Sequence, residues 1–456
     1  MSTPTSKEEP QSGLAGTANP PVTAAAGATS TDPAAASRAF SVEGLTQNVS
    51  TVRVGPKYLW ALSLAQFGLF AALLTPVFVS MSIKAQELNP SSPETIVGSV
   101  LPFGALGALF ANPLFGAISD RTRTRWGRRR PWMVGGVVVF LGALAWLAFS
   151  PDVVQLTLAW VLAQVSANAV LATLTASFAD NVPEFQRGKA SSVIALAQNT
   201  AILAGLYLAV YLVGNLPLLF IAPGILAVAV ILVYSFVARD ELPTTPTKPF
   251  SWTTLIASFW TNPIKHPDFG LAWWGRFLIT FGTFMFTTYR LLYMQDQIGI
   301  EDLAEATATV AFGVLLYTVA LLVSAAVSGW VSDRVRRRKV FVWGSTALTA
   351  VGLVILAHVD SVGGFYFAEI VLGFAFGIYA AIDTALVVDV LPDPERPGKD
   401  LGVINIANAL PQSLAPAVGL FLLGIGGGQN YTLMLWGAGV AVLLGALVIL
   451  PIKKVR

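Results

Sequence analysis

The sequence predicts an all-α integral membrane protein with twelve transmembrane helices in two pseudo-symmetric six-helix bundles. Three observations carry this: a composition too apolar for a water-soluble globule, apolar runs long enough to cross a bilayer along almost the whole chain, and loop motifs that recur in both halves. Of 456 residues, 55% are hydrophobic and only 12% charged. Polar surface cannot cover such a chain in water. Crossing about 30 Å of hydrocarbon takes roughly 20 apolar residues as a helix, against about ten alternating residues as a barrel strand. The runs here are long and continuous, which selects helices.

The spans fall at 58–81, 96–118, 132–150, 153–178, 190–213, 216–238, 271–295, 304–331, 340–359, 364–388, 401–425 and 431–451. Residues 1–55 are rich in Ala, Thr, Ser, Pro and Gly and lack an apolar core, the composition of a disordered tail. The start Lys7-Glu8-Glu9 has neither the basic region nor the apolar stretch of a cleavable signal peptide. The longest polar connection, 239–270, contains Pro243, Pro246, Pro249, Pro263 and Pro267 and reads as a linker between bundles at 56–238 and 271–456.

Lys and Arg near span ends are retained in the cytoplasm. All 28 basic residues except Lys84, Arg276 and Arg290 fall on the side of the tail, the linker and the connections after even-numbered spans. Both chain ends are therefore expected in the cytoplasm, with the protein in the plasma or inner membrane.

The loop motifs show the repeat. Gly116-Ala-Ile-Ser-Asp120-Arg121 follows the second span, and Gly329-Trp-Val-Ser-Asp333-Arg334 follows the eighth. Asp180-Asn-Val-Pro183, with Arg187 and Lys189, follows the fourth span, and Asp389-Val-Leu-Pro392, with Arg396 and Lys399, follows the tenth. A duplicated bundle is the build of a transporter that rocks two halves about a central site.

The string from Gly116 through Asp120, Arg121, Arg125, Trp126, Gly127, Arg128, Arg129 and Arg130 to Pro131 resembles the loop signature of the major facilitator superfamily. Its Arg-Trp-Gly-Arg-Arg-Arg-Pro ending is similar to that of the glycoside–pentoside–hexuronide:cation symporters and the related sucrose transporters. The resemblance implies the major facilitator fold over nearly all of 56–456, with helices 1, 4, 7 and 10 lining a central cavity. It also implies that Asp120 and Arg121 belong to a cytoplasmic latch closed in the outward-open state, with Asp333 and Arg334 as a weaker copy. The alternative reading is that the arginines are only topology determinants, a role that needs no carboxylate. Melibiose-type sodium symporters of this branch carry two second-helix carboxylates four residues apart; here the matching positions are Ala108 and Asn112, before Pro113. That departure favours H+ over Na+ as the coupling ion.

Ionisable residues within spans need a partner or a water-filled cavity. Arg276 and Arg290 on the seventh span, and Glu369 and Asp383 on the tenth, are each 14 residues apart. That spacing is close to four helical turns, so each pair shares a face. Opposite chain directions then set Arg276 level with Asp383 and Arg290 level with Glu369. Snorkelling to the interface is the alternative for the arginines; the acids have shorter stems. Glu369 or Asp383 is thus the expected proton carrier.

Amides form a second constellation: Gln164 and Asn168 on the fourth span, Asn405, Asn408 and Gln412 on the eleventh, Gln66 on the first, and Gln198 with Asn199 on the fifth. Amides both donate and accept, as sugar hydroxyls do, but they also tie helices together. Phe67, Tyr207, Tyr289 and Trp274 offer rings for stacking on a sugar, and the other tryptophans and tyrosines read mostly as an interfacial belt.

The expected function is proton-coupled symport of a sugar, glycoside or other small polar solute by alternating access. A proton-driven drug or metabolite exporter of the same superfamily, or a non-transporting receptor or scaffold, are the alternatives. With no cysteine, two histidines and no phosphate-binding loop, an enzyme, a metal site, a cofactor and direct ATP drive are not expected. Neither is nucleic-acid binding; the expected partners are the solute, the coupling ion and lipid, with a monomer as the working unit.

Overall fold

The computed structural model describes residues 53–240, 261–335, 337–392 and 397–453. Most of the expected tail and the middle of the expected linker lie outside the described residues, and so does the side chain of Asp333.

Twelve helical segments follow one another: α1 Pro56–Leu88, α2 Pro93–Arg121, α3 Arg130–Phe149, α4 Val153–Asn181, α5 Glu184–Leu212, α6 Leu216–Val237, α7 Pro267–Asp296, α8 Leu303–Val335, α9 Arg338–Leu356, α10 Val362–Asp389, α11 Pro397–Gly424 and α12 Tyr431–Ile449. Proline fits the start of α1, α2 and α7, where its missing N–H would have had no intrahelical partner. Asp152, Asn215 and Asn430 cap α4, α6 and α12 by accepting from the backbone N–H three residues on. Outside the helices, the described residues hold only one isolated bridge, between Thr124 and Gly127.

Eleven of the twelve are long and apolar enough to cross a membrane. The exception is α7, 30 residues long, which carries Asp268, Arg276, Arg290 and Asp296 along with threonines and glycines. The first helix also differs from its expected span of 58–81. It continues to Leu88 through a π-helical stretch, Pro76–Ser80. Ser80, Ser82 and Lys84 weaken the apolar signal there, yet all three are buried, and Lys84 pairs with Glu87 at 3.1 Å.

Packing repeats with a shift of six helices. In the first half α1 lies on α5 and α6, α2 on α4, and α3 on α4 and α6; in the second α7 lies on α11 and α12, α8 on α10, and α9 on α10 and α12. The halves meet through α2 on α11 and α5 on α8, again one pairing and its shifted copy. This is a two-fold related pair of six-helix bundles. Small residues set the closest approaches, as they do wherever membrane helices pack. A β-carbon on Gly373 would run into the Tyr317 carbonyl of α8, and one on Gly377 into Leu321 and Ser324.

One expectation about aromatic residues is corrected. Tyr58, Tyr234, Tyr293, Tyr431 and Trp160 are buried among helices rather than placed in an interfacial belt. Their polar atoms are bonded inside: Trp160 Nε1 donates to Leu101 O at 3.3 Å, Tyr293 Oη to Leu356 O at 2.8 Å, and Tyr431 Oη to Asp296 at 2.6 Å. Sequence position alone does not separate a ring at the membrane edge from one that packs near it.

Candidate transport site

Two arginine–acid pairs join α7 to α10, helices with little direct backbone contact. Long side chains therefore bridge what the backbones leave apart. The pair nearer the end that carries the arginine-rich connections, hereafter the basic end, is Arg276–Asp383. Arg276 Nε donates to Asp383 Oδ2 at 2.8 Å and Nη2 closes on the same oxygen. Toward the far end, Arg290 Nε lies 3.0 Å from Glu369 Oε1, with side-chain exposures of 6% and 0%. The N–H is not directed at the oxygen, and neither Glu369 oxygen accepts a hydrogen bond among the described residues. Arg290 rests its guanidinium over the Phe286 ring, 5.0 Å from the centroid, one turn earlier on α7. Gly313 on α8 leaves room for the Phe365 ring, one turn before Glu369 on α10; a β-carbon on Gly313 would overlap that ring.

The amides divide into bonded and open sets. Asn168 donates to Gln164 O at 2.9 Å, and Asn112 Nδ2 reaches Asn168 Oδ1 at 3.5 Å, so α2 and α4 share one amide cluster. Gln198 Nε2 donates to Gln66 Oε1 at 3.2 Å and ties α5 to α1, while Asn199 bonds back to Ala195 O of its own helix. Asn405, Asn408 and Gln412 are half-exposed along α11, with no hydrogen bond to the described residues. Tyr289 is fully buried; it donates to Pro416 O at 2.6 Å and its ring packs on Gly419. It acts in helix packing here, not as an open stacking face. Trp274 is half-exposed.

At the basic end the described loop residues of the first half form a network. Arg129 Nη2 meets Asp120 Oδ1 at 2.5 Å, its Nε meets Asp180 Oδ2 at 3.2 Å, and its Nη1 donates to Ser119 Oγ at 2.7 Å. Arg128 reaches Asp180 at 2.7 Å, and Arg121 donates to Ala117 O at 2.6 Å. Gly127 turns the chain with φ of 108°, closing a hairpin with Thr124, whose intervening Arg125 is exposed. Gly116 is buried on α2. Sequence reading missed Asp240, whose Oδ2 accepts from the backbone N–H groups of both Arg129 and Arg130 at 2.8 and 2.9 Å. A carboxylate there suits the positive end of α3. A β-carbon on Gly127 would overlap that carboxylate. In the second half Arg338 meets Asp389 at 2.6 Å, the acid that matches Asp180 in the repeated motif. Arg334 instead stacks on Trp330 at 5.3 Å, and Gly329 has open space around it.

The fold and these charged connections agree with the comparisons to known proteins. The Major Facilitator Superfamily model matches residues 59–416 and, in a second match, 301–456. The chain belongs to the major facilitator superfamily of membrane transporters. Over 48 residues, 10% of this chain and 9% of the other, it is 50% identical to the uncharacterized symporter sll1374 of Synechocystis sp.. It is 29% identical to the uncharacterized MFS-type transporter YfiU of Bacillus subtilis over 172 residues, 38% of this chain and 33% of that one. Sucrose transport protein SUC4 of Arabidopsis thaliana is 30% identical over 105 residues, 23% of this chain and 18% of that one. The matches thus span at most a third of these relatives. Among solved structures, the nucleoside transporter NupG superposes with a TM-score of 0.69 at 12% identity, covering 87% of this chain and 99% of the other. A bacterial homolog of the human lysosomal transporter Spinster, inward-facing and unoccupied, gives 0.60 at 13% identity over 87% and 95%. At such identities the likeness is one of fold.

Proposed function

We propose that this transporter is a proton-coupled symporter of a sugar, a glycoside or another small polar solute. It works by alternating access, with its basic end and both chain termini in the cytoplasm of a plasma or inner membrane. The observation that carries the reading is the Glu369–Arg290 contact: a fully buried acid beside a guanidinium, accepting no hydrogen bond from the described residues. Away from water that carboxylate's charge is balanced by Arg290, and a proton on it leaves the arginine to find another partner. Proton uptake frees Arg290 from its partner, and release restores the pair, so protonation is linked to how α7 sits on α10. Asp383, hydrogen-bonded to Arg276, is the fixed member.

The open amides of α11 and the Asn112–Asn168–Gln164 cluster supply donors and acceptors for solute hydroxyls. Similarity to a sucrose transport protein supports a sugar. Asn112, an amide bonded to Asn168, supports proton over sodium coupling because no carboxylate stands there to meet a cation. The proposed working unit is a monomer of two bundles, 56–238 and 271–456, joined by a linker over 239–270.

The test is uptake of labelled sugars into proteoliposomes under imposed pH or sodium gradients. Accumulation should follow the pH gradient and ignore sodium. Glu369→Gln should keep counterflow exchange and lose uphill accumulation; full pH-driven accumulation by that variant would reject the assignment.

A further inference from the structure

The halves touch intimately at the far end. Gln86 Nε2 of α1 donates to Gln295 Oε1 of α7 at 2.7 Å, the π-helical stretch of α1 also packs on α7, and α2 enters the groove between α7 and α11 with Gly98. A β-carbon on Gly98 would overlap the Tyr289 hydroxyl and stand 2.5 Å from Leu420 Cβ and 3.0 Å from its Cδ2. The hydroxyl is itself held by Pro416 O at 2.6 Å, and the Tyr289 ring is pinned against Gly419. The obstacle facing Gly98 is therefore part of two helices, not a side-chain tip free to swing away.

We propose that Gly98 and Tyr289 form the closure seat of the far gate: the absence of a side chain at 98 lets the first half seat against α7 and α11. The inference rests on the alternating-access reading. In the opposite state α2 withdraws, Gly98 faces no such neighbours, and a larger residue there is tolerated. A side chain at 98 thus destabilises one state only and shifts the population toward the far-open one. The Tyr289 hydroxyl and the Leu420 side chain are the surface on which Gly98 seats.

The chain contains no cysteine, so Gln86→Cys with Gln295→Cys gives a thiol pair that a short bifunctional thiol cross-linker joins only when the far end is closed. In the parent background the pair should cross-link readily, and cross-linking should stop solute exchange. Gly98→Leu should slow cross-linking by roughly tenfold or more. Gly98→Ala should slow it less, and serves if the leucine variant does not fold. Adding Tyr289→Phe and Leu420→Gly to Gly98→Ala, which clears the overlapping atoms, should restore the parent rate. A purely structural effect would not be rescued by two further truncations. Parent-rate cross-linking in both Gly98 variants, or failure of the rescue, overturns the closure seat. Cross-linked protein that still exchanges solute overturns alternating access itself, so the two failures are distinguishable.

Discussion

Shifting the chain by 209 residues, the distance from Asp180 to Asp389, lays α4 over α10 and sets Trp160 against Glu369, Gln164 against Gly373, Asn168 against Gly377 and Leu174 against Asp383. The packing around the two helices is the same, α2 and α3 on one and α8 and α9 on the other. The chemistry is not. In the first half that face holds an indole bonded to a backbone carbonyl, followed by two amides. In the second it holds two acids, each reached by an arginine from α7, with glycines between them that bring α8 close. Even the bridge across each half differs. Tyr58, Ser177 and Tyr234 join α1, α4 and α6 through neutral hydroxyls at 2.9 Å, where α7 and α10 use charge. One duplicated scaffold thus carries neutral hydrogen-bonding groups on α4 and paired charges at the matching face of α10.

The comparison breaks hardest at Glu369. Removing only one partner strands a charge in a dry site, a loss of about 3–5 kcal/mol, whereas replacing both by apolar residues of similar size is often neutral. Glu369→Leu and Arg290→Met should each lower the melting temperature of detergent-purified protein sharply. Glu369→Leu with Arg290→Met should recover most of it, while proton-driven accumulation stays lost. Additive losses in this double-mutant cycle would show that the two residues do not act as a pair.

A smaller effect is expected at Arg276–Asp383, which has side-chain exposures of 14% and 5%. Solvent access lets a stranded charge find water. Asp383→Asn keeps shape and one acceptor and gives up a charge-assisted bond, costing about 1.5–3 kcal/mol. If Glu369 is the carrier, this variant still accumulates solute under a pH gradient, at reduced rate. Loss of accumulation in Asp383→Asn alongside normal accumulation in Glu369→Gln would exchange the two assignments.

The charged contacts were legible because helical geometry is regular: a 14-residue spacing on two oppositely directed helices leaves few ways to arrange two arginines and two acids. The helix count followed from apolar length, and it was least secure at α7, where the charges that matter dilute the apolar signal. Tyr289 was not legible as a packing residue, since periodicity says which way a ring points and not what meets it. Asp240 was invisible for another reason. Its partners are backbone N–H groups 111 and 110 residues earlier, and a contact to the main chain leaves no pattern of side-chain types.

Asp240 also sharpens the comparison at the basic ends. In the first half it caps α3 from outside that helix, and losing such a cap costs about 0.5–2 kcal/mol. Asp240→Ala should destabilise the protein by that amount, and Gly127→Ala by more, because it expels the carboxylate and also places a side chain at φ of 108°. Combining the two should cost less than the sum, because the carboxylate contact is lost only once; full additivity in thermal melts would separate them.

The smallest effect is expected at the second-half copy. Arg338 and Asp389 lie 2.6 Å apart, with side-chain exposures of 35% and 38%. Water and salt screen such a pair, so it contributes about 0–1 kcal/mol. Arg129 is different: its side chain is 5% exposed and shared between Asp120 and Asp180, with Ser119 on a third nitrogen. Its removal takes away the cation that Asp120 and Asp180 share and leaves Asp180 to Arg128. Arg338→Ala should therefore barely move the melting temperature, and raising the salt concentration should erase the difference. Arg129→Ala should lower it by several degrees at any salt concentration, because a buried network is poorly screened. Equal losses from the two substitutions would mean that the repeated loop motifs work alike, and that the asymmetry between the halves is confined to the membrane interior.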